Sequence, residues 1–455
     1  MRLTVVVPLA DPTLRLVPEP DGRLLDLNAC FVRRLSDPWG LRAHADTLDT
    51  EGCCPDDSLQ ALFARAAAAL LERPGHGDTR LRALACAMRL TGSGDPAITV
   101  TLDELALRTG STQSLHDIAA AAARAELFGP EAAVLERAAG AAEAVEIIAD
   151  TDRQLPAALV FARAVRSANA RAPIELCGRS AAEHASALRA LCPQNTVRGR
   201  STCGAAVHAE WTGGRTVHWI TGAQQPPEGE AWAGWLDPAD AARIPPPAFA
   251  HCRALTLTMA DMVGTAGWDR VVGGDGTPVD LGHVGPPSPG GPLLAADILV
   301  GAPGTAAGTA EALVRRLLAE RVRIAGFRRF RASGASEGTQ RAVDVLLGRY
   351  GPITDCYPAR VAAASLTADP APRGAHWDPA ATVVPCRGAG PDGRGPGDFA
   401  VSLRTGRALR AAPGLAPLLR KWNEGISAPF DGLPVRHHEV LGGRLLQAGI
   451  VRSGP

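Results

Sequence analysis

Three groups of residues in this 455-residue chain have types and spacings that could do chemistry. The first is "DILVGAPGTAAGTAEALVRRLL" (297–318), in which Gly301, Gly304 and Gly308 lie between a strand-like run and a helix-like run. Backbone amides at such a helix start can bind phosphate or carboxylate. The same glycines also serve a close strand-to-helix turn. The spacing is neither the dinucleotide fingerprint nor a phosphate loop ending in Gly-Lys-Ser/Thr. The second group follows two apolar runs. Asp150, Thr151, Asp152 and Gln154 come after "AVEIIAD", and Gly178, Arg179 and Ser180 come after "APIELCG". Short polar side chains and a glycine permit close backbone approach of a large planar ligand, and Asp152 could equally cap the helix that follows. The third group is histidine-centred. "DLGHVG" (280–285) has the order D-x-x-H-x-G rather than the D-x-H-x-x-G of a cobalt-ligating histidine, and it is rejected as that motif. "HHE" (437–439) lacks the H-E-x-x-H spacing and reads as a solvated helix surface. No Ser-His-Asp or paired-carboxylate set follows from spacing.

The elements that would hold these residues alternate in type. Strands are expected at 3–9, 22–28, 97–102, 144–150 and 172–178. Helices are expected near 58–72, 81–91, 113–127, 130–142, 154–170 and 181–192. Strand and helix in alternation argue for a parallel sheet covered by helices, with ligands beyond the carboxyl ends of the strands. The reading divides the chain into a doubly wound domain (1–220), a proline- and glycine-rich linker region around one short element near 253–264 (221–292), a second α/β region (293–385) and a small C-terminal module (396–455). "CRGAGPDGRGPGD" (386–398) reads as a flexible hinge. Trp211, Trp219, Trp232 and Trp235 either line a pocket or anchor linker segments on a sheet.

Composition narrows the function classes. Lys+Arg and Asp+Glu balance at 47 each, which gives no global field toward nucleic acid or anionic membrane. The arginines of "RIAGFRRFR" (323–331) read as a solvated amphipathic edge. No apolar run is long enough for a transmembrane helix, the start is not a secretory signal, and the ten cysteines are scattered. The expectation is a cytoplasmic protein with reduced thiols.

Two stretches carry a resemblance. "LLDLNACFVRRL" (24–35) and "AVEIIADTDRQLPAALVFARAVRSANARAPIELCGRS" (144–180) resemble, in order and spacing, the first domain of cobalamin-binding radical S-adenosylmethionine enzymes. Gln154, Leu155, Ala158, Leu159 and Gly178 match that pattern, and Arg179 replaces its second glycine. Residues 395–455 resemble the small peptide-binding module of peptide-modifying members. The resemblance covers about residues 1–200 and 395–455. It implies a cobalamin-binding-like doubly wound domain, a shortened partial β/α barrel and a winged-helix-like module. It also implies cobalamin as a cofactor, over Asp150–Gln154 and Gly178–Ser180.

The family's three-cysteine C-x-x-x-C-x-x-C loop has no counterpart, and the Gly301 loop stands where it would begin. Three soft thiolates from one loop are what hold such a cluster, so no iron–sulfur cluster is expected. The implied role is a non-radical partner or substrate-binding component in peptide natural-product biosynthesis, working with a peptide or leader segment or with a catalytic homologue. Two alternatives stay open. One is an enzyme using cobalamin or another ligand without radical cleavage; the other is an unrelated nucleotide-binding α/β enzyme. "FAVSLR" (399–404) is the expected sheet edge for peptide capture.

Overall fold

The structure is a computed structural model. It describes residues 2–9, 22–51, 54–73, 77–92, 94–100, 105–110, 114–149, 151–178, 180–181, 184–197, 206–208, 216–221, 225–260, 270–272, 278–280, 291–301, 308–329, 342, 345–346 and 375–453. From the amino terminus, β1 (Arg2–Val6) and β2 (Gly22–Asp26) precede four helices: α1 (Leu27–Leu35), α2 (Pro38–Glu51), α3 (Pro55–Leu71) and α4 (Gly77–Gly92). Then come β3 (Ile98–Val100), β4 (Leu105–Leu107), α5 (Leu115–Ala122), α6 (Gly129–Ala139), β5 (Ala144–Ile148), α7 (Leu155–Ala168), β6 (Ile174–Cys177), α8 (Ala185–Leu191) and β7 (Thr196–Val197). The middle of the chain forms β8 (Ala206–His208), β9 (Thr216–Thr221), β10 (Trp232–Leu236), α9 (Pro238–Ala241), β11 (Cys252–Ala260), β12 (Arg270–Val272), β13 (Pro278–Asp280), β14 (Leu293–Val300), α10 (Thr309–Ala319) and β15 (Arg323–Arg329). The last segment holds β16 (Ala375–Trp377), β17 (Ala381–Cys386), β18 (Gly397–Ser402), β19 (Arg407–Arg410), α11 (Ala416–Asn423), α12 (His438–Gln447) and β20 (Val451–Ser453). The protein is α/β, with parallel sheets. No described helix is long and apolar enough to cross a membrane.

The chain divides into two compact units, and the division is not where the sequence placed it. One unit comprises residues 1–30, 96–99 and 103–368; the other comprises 31–95, 100–102 and 369–455. The segment 31–95, assigned above to the doubly wound domain, therefore belongs with the C-terminal residues. Its Ala-rich helix α3 packs on a sheet that the chain supplies some 300 residues later, with α2 and α4 packed on α3.

In the first unit, a five-stranded parallel sheet has the order β2-β1-β5-β6-β7. The run of Leu3, Val5, Ile147, Ile174 and Leu176 is buried, as a sheet covered by helices requires. α7 starts at Leu155 with Pro156 in its first turn, and buries Leu155, Leu159, Phe161, Ala162 and Val165. α5 and α6 pack against α7, and α7 packs on β5 and β6. The strand order reverses direction between β1 and β5, so the crevice where such sheets bind ligands is at the carboxyl ends of those two strands.

The same unit contains a six-stranded sheet of order β15-β14-β11-β10-β9-β8, parallel except for β8. This corrects two expectations. Residues 221–292 are not linkers around one element, because β10 and β11 are central strands of this sheet. The second α/β region does not begin at 293, and β16 and most of β17, which fall within its expected bounds, pair with β20 and β18 of the other unit. Proline and glycine here punctuate short strands. Trp232 is fully buried, donates its indole N–H to the Ala248 carbonyl at 2.8 Å and packs edge-on against Phe249. That is the anchoring role, with α10 packed on the same core through Leu313, Val314 and Leu317.

In the second unit, β17, β18 and β19 form an antiparallel sheet between two helical layers. Val384, Phe399 and Val401 face the alanines and leucines of α3, with α2 and α4 beside them. Ala381 and Ala400 pack with Leu419 and Trp422 of α11, and with Leu445 of α12. Arg65 of α3 is buried and bonds Asp46 at 2.6 Å and Asp49 at 2.8 Å, both on α2. Arg387, just after β17, also bonds Asp46, at 3.0 Å.

Candidate functional site

The residues expected to flank a ligand on the first sheet do come together at the carboxyl ends of β1, β5 and β6, but their polar groups turn to one another. The Gln154 carbonyl oxygen accepts from the Thr151 N–H at 3.0 Å and from the Thr151 hydroxyl at 3.2 Å. Its amide nitrogen donates to the Val7 carbonyl at 3.4 Å, just past β1. Gln154 is 2 % exposed, Thr151 8 % and Ser180 0 %. Gly178 has φ 104°, a conformation that favours glycine, as β6 ends. Asp150 and Arg179 lie outside the described residues, as does the side chain of Asp152. Gln154 and Thr151 thus fasten the end of β1 to the turn after β5, through polar contacts to one another and to Val7.

The glycine loop after β14 is explained in part by backbone conformation. Gly301 has φ 88°, and Gly308, which caps α10, has φ 87°. A side chain at either would be strained, so the strand exit and the helix start each require glycine. Gly304 lies outside the described residues.

Two polar clusters have no signature in the spacing. On the first sheet, Arg2 reaches Glu175 at 2.7 Å and Glu146 at 3.6 Å, and the Thr4 hydroxyl donates to Glu146 at 3.3 Å. Cys177 is buried beside them, and its ligand atom and those of the two glutamates lie within 4.8 Å of one another. Burial, then the neighbouring Glu146 and Glu175 carboxylates, push the Cys177 thiol pKa up, so it remains a thiol. Arg2 already bridges both carboxylates, and the group is an ion-paired network of the sheet. On the second sheet, the Trp235 indole N–H donates to the Thr258 hydroxyl at 2.7 Å, and that hydroxyl donates to the buried Asp297 carboxylate at 3.2 Å. Strand register creates both clusters: Glu146 pairs with Glu175, and Thr258 with Asp297. An alternating pattern of polar residues on β5, β6 and β11 is their only trace in the sequence.

The described cysteines Cys30, Cys54, Cys86, Cys177, Cys192, Cys252 and Cys386 are free thiols, and Cys53, Cys203 and Cys356 lie outside the described residues. His438 bonds the Leu433 carbonyl at 3.0 Å and packs on Phe430, so it holds the α12 start. Asp280 ends β13, and the rest of "DLGHVG" lies outside the described residues.

The second unit has an open cleft of about 1160 Å³ along the outer side of β19. Leu59 of α3 borders one side, and Arg444 and Gln447 of α12 the other. The end is closed by the loop between β17 and β18, the stretch expected to be a flexible hinge. It is a clamped hairpin loop instead. Arg410 Nε bonds Asp392 at 2.6 Å, and its Nη2 reaches Asp392 and the Gly395 carbonyl, each at 2.8 Å. The guanidinium lies 4.6 Å over the Phe399 ring. A Cβ on Gly390 or Gly397 would collide with that guanidinium, so these glycines make room for an anchor. The Arg410 hydrogen bond, chiefly, pushes the Asp392 carboxyl pKa down to about 2.

The expected peptide-capturing edge is also corrected. "FAVSLR" belongs to β18, the middle strand, paired on both sides and with no edge to offer. The edge is its neighbour β19. Apart from its pairing with β18, β19 takes no main-chain hydrogen bond among the described residues. Comparison of the chain with family models, with curated proteins and with solved structures finds no match.

Proposed function

We propose that the protein is a substrate-binding component that captures an extended peptide segment along β19. The observation that carries this is the open cleft along a strand edge, walled by a helix on each side. An edge strand presents unpaired N–H and C=O groups on which a peptide adds as a further strand. The three-stranded sheet followed by α11 and α12 supports the winged-helix-like, peptide-binding-like reading of this module. The strand order of the first sheet supports the doubly wound reading of the first domain at the level of chain path. In this reading the protein is a non-radical partner in peptide modification, and the bond-making chemistry belongs to another catalyst.

Selection against a displayed library of random peptides of about fifteen residues, followed by amide hydrogen exchange of the full chain with a selected peptide, tests the reading. Enriched segments should slow exchange at Arg407–Arg410, where edge amides become paired. Absence of enrichment, or protection confined to the first unit, would refute it.

A further inference from the structure

We infer that the segment held along β19 is acidic, its carboxylates meeting Arg407 and Arg444 across the cleft. This rests on the peptide-capture reading of the same cleft. Four arginines and two aspartates line it. Arg410 is spent on Asp392, and Asp398 bonds Arg420 at 2.6 Å from outside the lining. Arg394 is 78 % exposed and only 4.0 Å from the Asp392 that Arg410 already holds. Arg407 gives one N–H to the Gln447 carbonyl at 2.8 Å and has no carboxylate partner among the described residues. Arg444 is exposed and makes no ion pair among the described residues. The cleft therefore carries positive charge that the protein itself leaves uncompensated.

The placement favours a peptide. Arg407 stands on the edge strand, and its bond to Gln447 ties it to the helix that carries Arg444 three residues earlier. Residues three apart share a helix face. A chain lying on β19 thus meets one guanidinium from the strand and one from the helix, each a planar fork suited to bidentate carboxylate contact. Val440, one turn before Arg444 and 69 % exposed, continues that wall with an apolar position. An extended chain sends alternate side chains to opposite faces, so acidic and apolar residues in alternation suit both positions. A single-stranded nucleic acid would need an aromatic platform for its bases, and Phe399 in this cleft is buried beneath Arg410. Exposed ion pairs are individually weak. Affinity then comes from main-chain pairing, and the arginines set the preference.

Fluorescence anisotropy of the full-length protein tests this with a labelled peptide of about twelve residues alternating glutamate with valine and threonine, its glutamine counterpart, and an oligothymidylate of equal charge. The glutamate peptide should bind about tenfold tighter than the glutamine one, with the gap shrinking as salt rises and screening shortens. R407Q and R444Q, both at exposed positions, should each narrow that gap, and the double substitution should remove most of it. Equal binding of the two peptides, or a preference untouched by both substitutions, would overturn the acidic assignment while leaving edge capture standing. Binding of neither peptide would overturn both readings. Tighter binding of the oligothymidylate would overturn the acidic-peptide assignment in favour of a polyanion surface.

Discussion

Gln154 follows β5 at the carboxyl end of the first sheet, where ligands of doubly wound sheets gather. Its burial assigns it a different task. One amide joins the end of β1 to the turn after β5 through Val7 and Thr151. Replacing it by leucine leaves a buried N–H and a buried carbonyl without partners, which costs about 2 kcal/mol. Urea unfolding should show a lower midpoint with little change in slope. An unchanged midpoint would mean that the side chain is not what holds these strand ends. Whether a polar side chain after a strand faces a ligand or its own backbone depends on the atoms around it, and spacing does not encode those.

At the scale of elements, the hairpin between β17 and β18 shows how a glycine-rich stretch misleads. Glycine abundance in a linker and glycine abundance around an inserted guanidinium look alike in composition. Arg410, thirteen residues beyond Gly397, distinguishes them only once β19 pairs with β18 and places Arg410 opposite Phe399. The Asp392–Arg410 bond has a pH signature. Because the folded-state pKa of Asp392 is depressed to about 2, its contribution is present above the ordinary carboxylate range and is lost as pH falls through about 2. Amide exchange in residues 390–397 should stay slow at about pH 3 and rise near pH 2, and D392N should exchange fast at both. Fast exchange of the unmodified loop at about pH 3 would contradict the clamp. The strand pattern of "FAVSLR" was legible as a short apolar run between turn residues. Its rank as middle strand was not, since a short apolar run fits an edge strand and a central strand alike. The same holds for β10 and β11, whose flanking prolines read as linkers.

At the scale of the whole molecule, the second unit is assembled from residues 31–95, 100–102 and 369–455. Protein cut at an engineered protease site in the exposed Glu228–Glu230 turn should keep its two fragments together in size-exclusion chromatography under native conditions. The α3 face and the β17–β18 sheet form one core across the cut. Separation of the fragments without denaturant would refute this arrangement. The sequence by itself determined the α/β class, most helices and strands of the first 200 residues, and the order of hairpin, helices and final strand at the C-terminus. These follow from local periodicity and from turn residues, which act over a few positions. Only the tertiary structure decided which helices share a core with which sheet, which strand keeps a free edge, and which arginines line a cleft without carboxylate partners. Those outcomes depend on contacts between residues hundreds of positions apart, where burial and charge compensation are settled by register and packing.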